Sequence, residues 1–326
     1  MNNPIAVLYM GGTFGCIGQP LSPMPASQFL QQLAKIFKTN QNLEYFSAPS
    51  IKDSTELNAS DWLQLALQIQ QLKQQFSKFI IIHGTDTLSY ASAFLHHIFK
   101  QQLTIILTGS QYPLLDVMGA ELQKASDAYC NLNFAIEQIS TIPQGVYLAF
   151  AQQLHQANQS YKTHTEDFNA FSSLQNSNHQ LTLKHDIQIS PQLIQQSQTI
   201  CYVNLYLYPQ SSIYLAQQLQ QIQHQQPHIL ILQGFGSGNL PYHADLEKVL
   251  QQLITQGCWV IISSQVLYGA LSQKYATGSW LNNINLVFDP HYSQADLYAR
   301  ATLLYLQYGD EKNWQQYWDQ IGRAHV

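Results

Sequence analysis

Two glycine-threonine loops carry the side chains with most chemical potential in this 326-residue chain. Gly11-Gly12-Thr13-Phe14-Gly15 follows one apolar run, and His83-Gly84-Thr85-Asp86-Thr87 follows another and leads into an apolar helical pattern. A threonine hydroxyl is a weak nucleophile at neutral pH, so it needs an adjacent base, and the base needs a group that orients it and sets its protonation. Thr85, Lys162 and Asp86 are of the types such a threonine requires. A lysine serves as a base only where burial lowers its pKa, and by residue type alone Lys162 reads as a solvated loop lysine. Each loop taken singly also reads as an ordinary strand-to-helix turn, with glycine allowing close backbone approach and Thr87 placed to cap the helix that follows. Neither loop fits G-x-G-x-x-G or the Walker pattern, which leaves a nucleotide site without support.

Loops of this kind work at the carboxyl ends of parallel strands, where helix N-termini and free backbone N–H groups point into a crevice. The chain supplies that alternation: short β-branched or aromatic runs, each followed by a turn and a 3.6-period stretch. Strands are predicted at 5–10, 79–82, 104–108 and 145–150, with helices at 26–37, 60–76, 87–99 and 127–139. From 152 to 197 no clear period holds, and polar loops with an antiparallel piece near 180–183 are expected. Alternation resumes with strands at 201–206, 228–232 and 259–263 and helices at 211–222, 244–255 and 294–308. The expected fold is α/β in two domains: a larger N-terminal domain, residues 1–185, with a mainly parallel sheet and flanking helices, then a linker, 186–199, and a smaller C-terminal α/β domain, 200–320. Residues 321–326, written back into codons, can be read as one frame of a common sequencing-library adapter, and a non-native tail is the expectation there.

Composition narrows the partners. The chain is 45% hydrophobic but only 10% charged, and 47 glutamines stand in for the missing charge on helical polar faces such as Leu30-Gln31-Gln32-Leu33. With 14 Lys+Arg against 19 Asp+Glu the net charge is -5, so no basic field exists for nucleic acid and no polybasic patch for a membrane. Cys16, Cys130, Cys201 and Cys258 form no C-x-x-C pair, and the 12 histidines form no spaced ligand set, so neither a metal, a cofactor nor a disulfide framework is expected. The first apolar run, Ile5 to Met10, is too short for a signal sequence or a membrane span, and a cytoplasmic location is expected.

At these residues the chain resembles the bacterial L-asparaginases and glutaminase-asparaginases, and is closest to their cytoplasmic type. Gly11-Gly12-Thr13 matches the T-G-G-T-I signature, with Met10 for its first Thr and Phe14 for its Ile, and His83 to Thr87 match H-G-T-D-T without change. The likeness continues through Leu107-Thr108-Gly109-Ser110-Gln111, Ser126-Asp127, Asn131-Leu132, Lys162-Thr163-His164, Phe168-Asn169-Ala170-Phe171 and Gly234-Phe235-Gly236-Ser237-Gly238-Asn239-Leu240. The resemblance implies hydrolysis of L-asparagine to L-aspartate and ammonia. Thr13 would form an acyl-enzyme, and Thr85, Asp86 and Lys162 would handle protons. It implies that Asp53, Ser54, Thr55, Thr85, Asp86 and Ser110 hold the small-molecule amide substrate. It also implies a homodimer or homotetramer in which Asn239 reaches a neighbouring subunit's site. By residue type, Asp53-Ser54 reads equally as a turn before a helix, and the glycine-rich loop before Asn239 as a weak phosphate cradle.

The likeness breaks at the lid. Active family members carry a tyrosine a little beyond the nucleophile, and here that stretch is Pro20-Leu21-Ser22-Pro23-Met24-Pro25-Ala26. Its three prolines restrict it, and Ser22, its one side-chain donor, or a backbone group of the stretch is expected near Thr13. Ala128 also replaces the family glycine after Ser126-Asp127. The alternative is therefore a catalytically weakened relative that binds an amino acid or regulates.

Overall fold

The computed structural model describes residues 4–38, 42–174, 183, 186–268, 271, 276–289, 293–309 and 311–319. The chain divides into two compact units. The first comprises Met1–Ser177, His185–Gln195 and Gln294–Arg300, and the second Asn178–Lys184, Gln196–Ser293 and Ala301–Val326. The piece expected near 180–183 and the tail at 321–326 lie outside the described residues, apart from Leu183.

In chain order the first unit holds β1 (Ile5–Gly11), a small hairpin of β2 (Cys16–Ile17) and β3 (Ser22–Pro23), α1 (Ala26–Ile36), β4 (Leu43–Lys52), α2 (Ala59–Leu72), β5 (Lys78–Ile82) and α3 (Leu88–Phe99). After these come β6 (Thr104–Thr108), α4 (Ala128–Gln138), β7 (Gly145–Phe150), β8 (Gln153–Gln156), β9 (Ser160–Lys162) and β10 (Phe171–Ser173). The sheet order is β4-β1-β5-β6-β7-β8, parallel throughout except for the last pair. Central strands such as Ile5–Gly11 are buried along their whole length, so they read as continuous apolar runs rather than as alternation. Val7, Tyr9, Ile80, Ile82 and Ile106 pack with Phe29 and Leu33 of α1 and Leu132 and Ala135 of α4. Strand β4, absent from the sequence-based reading, lies at the sheet edge, where its mostly exposed or half-buried pattern and Pro49 are tolerated.

Helix α2 starts on a capping box, in which Asn58 accepts from Ser60 N–H while Asp61 accepts from Asn58 N–H at 3.1 Å. Helix α3 lacks the expected cap: the Thr87 hydroxyl makes no helix-capping bond and donates instead to the Ser54 carbonyl at 2.7 Å. That bond ties the loop after β4 to the loop after β5.

Helix α5 (Pro191–Ser197) lies inside the stretch expected as linker. The second unit is built on β11 (Tyr202–Tyr206), α6 (Ser212–His224), β12 (Ile229–Gly234), α7 (Ala244–Thr255), β13 (Trp259–Ser264) and β14 (Val287–Phe288). Its four strands are parallel in that order. Leu230, Leu232, Val260 and Ile262 pack against Leu215 and Leu219 of α6 and Leu246 and Leu250 of α7. Two further helices follow, α8 (Gln294–Tyr308) and α9 (Gln315–Asp319), and the chain returns to the first unit for the opening residues of α8. There buried Asp296 accepts from His97 at 2.7 Å and from Arg300 Nε at 2.9 Å.

Candidate active site

Both threonine loops leave the carboxyl ends of neighbouring parallel strands, β1 and β5, so the sheet places them side by side. Glycine lets their backbones touch. Gly12 takes φ +83°, and a Cβ there would overlap the Gly84 Cα. A Cβ on Gly84 would lie 2.6 Å from Ser54 Oγ, and one on Gly109 would overlap the His83 carbonyl. The loops after β1, β5 and β6 thus stack backbone against backbone, with the Ser54 side chain of the loop after β4 pressed on Gly84, which no larger residue at these points permits.

Thr13 opens a single 3-10 turn, Thr13–Gly15, and is half-buried. Beneath that turn sits Tyr9, wholly buried, whose hydroxyl lies where a Gly15 side chain would go and has no hydrogen-bond partner among the described residues. Burial pushes that phenol far above its ordinary pKa, so it stays protonated. Cys16 follows, its thiol donating weakly to the Gly12 carbonyl at 3.5 Å. Burial and the nearby Asp53 carboxylate push its pKa up.

Thr85 is buried and Asp86 exposed. Lys162, at the end of β9, donates from Nζ to Thr85 Oγ1 at 2.9 Å and to Asp86 Oδ1 at 2.7 Å. The hairpin with β10, in which Lys162 faces Phe171, aims that lysine at residues more than seventy positions earlier. In the loop after β4, Asp53 caps the turn Ser54–Glu56 by accepting from Thr55 N–H at 2.8 Å and Thr55 Oγ1 at 2.6 Å. These two bonds hold its carboxyl below the usual range. Ser54 is buried, Thr55 exposed, and Ser110 buried with its hydroxyl donating to the Tyr112 carbonyl. Asn239 lies in the second unit, in a tight turn after β12, with Nδ2 donating to Ser237 Oγ at 3.2 Å.

One expectation changes, and one residue without an assigned role is placed. The Ser22 hydroxyl is exposed and points to the Ile17 carbonyl across its own hairpin, at 3.5 Å, instead of to Thr13. The antiparallel register Ile17↔Ser22 sets that direction. His83, which sequence reading left without a role, is fully buried behind Thr85. Its Nδ1 lies 2.8 Å from the Gly84 carbonyl, which can only accept, so Nδ1 carries the proton and Nε2 accepts from Trp62 Nε1 at 3.3 Å. Burial pushes this imidazole down to about 4, so it is neutral near pH 7. Among the described residues no cluster of metal-ligating side chains occurs.

The likeness of the chain to a known family makes it an amidohydrolase acting on a linear amide. Residues 4–195 match the model of the asparaginase N-terminal domain, and residues 204–317 that of the glutaminase/asparaginase C-terminal domain. L-asparaginase 1 of Escherichia coli is 29% identical over 324 aligned residues, covering 93% of this chain and 90% of that protein. Among solved structures, L-asparaginase I from Vibrio cholerae superposes with a TM-score of 0.77 at 22% identity, covering 99% of this chain and 98% of that one. The thermostable L-asparaginase from Thermococcus kodakarensis also gives 0.77, at 21% identity over 98% and 97% of the two chains. The chain belongs to the asparaginase family.

Proposed function

We propose that this enzyme hydrolyses L-asparagine to L-aspartate and ammonia through an acyl-threonine. The observation that carries the reading is Lys162 Nζ, held at 2.9 Å from Thr85 Oγ1 and 2.7 Å from Asp86 Oδ1 beside the Gly12–Gly84 contact. In this reading the Thr13 oxygen attacks the side-chain amide carbon and its proton passes to the Thr85–Lys162–Asp86 set. Thr85 and Lys162, oriented by Asp86, pass a proton to the leaving nitrogen. The C–N bond breaks, ammonia departs, and water then hydrolyses the ester to aspartate and free Thr13. Backbone N–H groups of the stacked loops face the developing oxyanion. Asp53 and Asp86 offer carboxylates to the substrate ammonium, and Ser54, Thr55 and Ser110 offer hydroxyl or backbone groups to its α-carboxylate. The four cysteines are unpaired, which supports a cytoplasmic setting.

The division of labour proposed along the chain places chemistry on residues 1–185, a linker at 186–199 and assembly on 200–320. Exposed Tyr206, Tyr208, Tyr214 and Tyr268 in the second unit support a homodimer or homotetramer, with Asn239 as the candidate contributor to a neighbouring site. A weakened, amino-acid-binding protein is the second reading, favoured by the lid that lacks tyrosine and by the direction of Ser22. Ammonia release from L-asparagine, L-glutamine and D-asparagine by wild type, Thr13→Ala and Ser22→Ala separates the two. Turnover of L-asparagine that vanishes in Thr13→Ala supports the first reading. Equal, non-zero rates for wild type and Thr13→Ala exclude it, and calorimetric binding without turnover supports the second.

A further inference from the structure

We propose that Gln111 is a positioning residue that holds Lys162 in register with Thr85, an inference that rests on the catalytic reading above. Gln111 lies in the loop after β6, and its backbone N–H is shared by both oxygens of Asp127, at 3.1 and 3.0 Å. Tyr112 N–H donates to the same carboxylate at 3.1 Å, and so does Asn131 Nδ2 at 2.9 Å. Asn131 extends the anchor by donating to the Gly109 carbonyl at 3.0 Å and accepting from Ala151 N–H at 3.0 Å. Asp127 and Asn131 are both buried, so the backbone of Gln111 is fixed to the first turn of α4.

From that fixed point the side chain reaches across to the turn that follows Lys162. Its Nε2 donates to the Thr165 carbonyl at 3.2 Å and to the Asp167 carbonyl at 3.0 Å, one amide proton for each. Both carbonyls belong to the tip, residues 163–170, exposed up to Asn169 and buried at Ala170, that closes the β9–β10 hairpin. Within the tip the bonds are local: His164 Nδ1 accepts from Asp167 N–H at 2.8 Å, and Thr163 N–H donates to the Ala170 carbonyl at 2.8 Å. The tip is tied to the sheet by Gln111, by Gln153 Nε2 donating to Asn169 Oδ1 at 3.2 Å, and by the edge-to-face contact of Tyr112 with Phe168. Lys162 is the residue immediately before this tip, so the two bonds from Gln111 act on the segment that carries its ammonium to Thr85 and Asp86, where a small displacement breaks the short contacts.

The test compares Gln111→Met, which keeps the stem and removes both donors, with Gln111→Glu, which keeps the shape and replaces the donor by an acceptor. In each, kcat for ammonia release is expected to fall about ten-fold while KM stays within about two-fold, since the binding loop keeps its Asp127 anchor. Tm should be unchanged, and hydrogen exchange of the amides of residues 163–170 should accelerate. Lys162→Ala is measured alongside. Wild-type kcat in both Gln111 variants, or a raised KM with kcat unchanged, overturns the inference alone when Lys162→Ala is impaired. Unchanged exchange in the tip overturns it whatever the rates. Lys162→Ala at the wild-type kcat overturns the catalytic reading, and this inference with it.

Discussion

His83→Asn isolates one buried ring whose charge the fold refuses. The native imidazole is 0% exposed, donates through Nδ1 to Gly84 and accepts at Nε2 from Trp62, an arrangement that only the neutral ring can make. Its pKa is pushed down to about 4 by burial, against about 6.5 in the unfolded chain. The folded pKa is the lower one, so on acidification the unfolded state takes up a proton that the folded state does not. Full stability is present above about pH 6.5 and drains away as the pH falls toward 4. Linkage between these two values puts the loss at about 2 kcal/mol at pH 5 and about 3 kcal/mol at pH 4, or roughly 30-fold and 150-fold in the opening population. Asparagine places an amide donor near the Nδ1 position and has no titration in this range. The assay is native-state hydrogen exchange of β5 amides, corrected for intrinsic rates, in wild type and His83→Asn at pH 7.5, 5 and 4. Asp296, held below the usual carboxylate range against the push of burial by His97 and Arg300, also costs stability in acid, but it is common to both proteins and cancels in the comparison. The wild type should lose opening free energy with acid more steeply than the variant by the amounts given. Parallel pH dependences would refute the assignment of a neutral, hydrogen-bonded ring.

Further expectations follow from particular contacts. Lys162→Ala should lower kcat by about 100-fold or more while leaving Tm almost unchanged, because its partner Asp86 is 57% exposed and such ion pairs stabilise little. Gly12→Ala combines φ +83° with an overlap on Gly84 and should cost about 1–3 kcal/mol in urea unfolding while abolishing ammonia release. Asp296→Asn leaves buried Arg300 without its carboxylate and should destabilise the first unit by about 3–5 kcal/mol, read by denaturant titration. Asp127→Asn turns an amide NH2 toward donors that need an acceptor, and a loss of about 1–3 kcal/mol with faster exchange at Gln111 and Tyr112 is expected.

The strands of the central sheets were legible because buried parallel strands are written as unbroken apolar runs. Residues 104–108 and 145–150 were read to the residue, and 79–82 to within one. β4 was not legible, because an edge strand with one solvated side and a proline carries no such run. The short strands β8, β9 and β10, three or four residues each, are too brief for any period to show.

The threonines, the lysine and the carboxylate could be nominated from their loops and from a family likeness, since residue type and glycine spacing are local properties of a chain. Their mutual placement could not. Lys162 read alone is a solvated lysine, and only the antiparallel pairing of β9 with β10 turns it toward Thr85. Thr87 read alone is a helix cap, yet its hydroxyl binds a carbonyl from another strand's loop. Gln111, Asp127 and Asn131 fall in segments that carry the family likeness, but their roles are not legible there, because a buried carboxylate gathering backbone N–H groups from 16 residues away is defined by where those groups converge. Hydrogen-bond geometry falls off within a few tenths of an ångström, and at these positions only the packed sheet, with glycine backbones pressed together, holds distant residues to that tolerance.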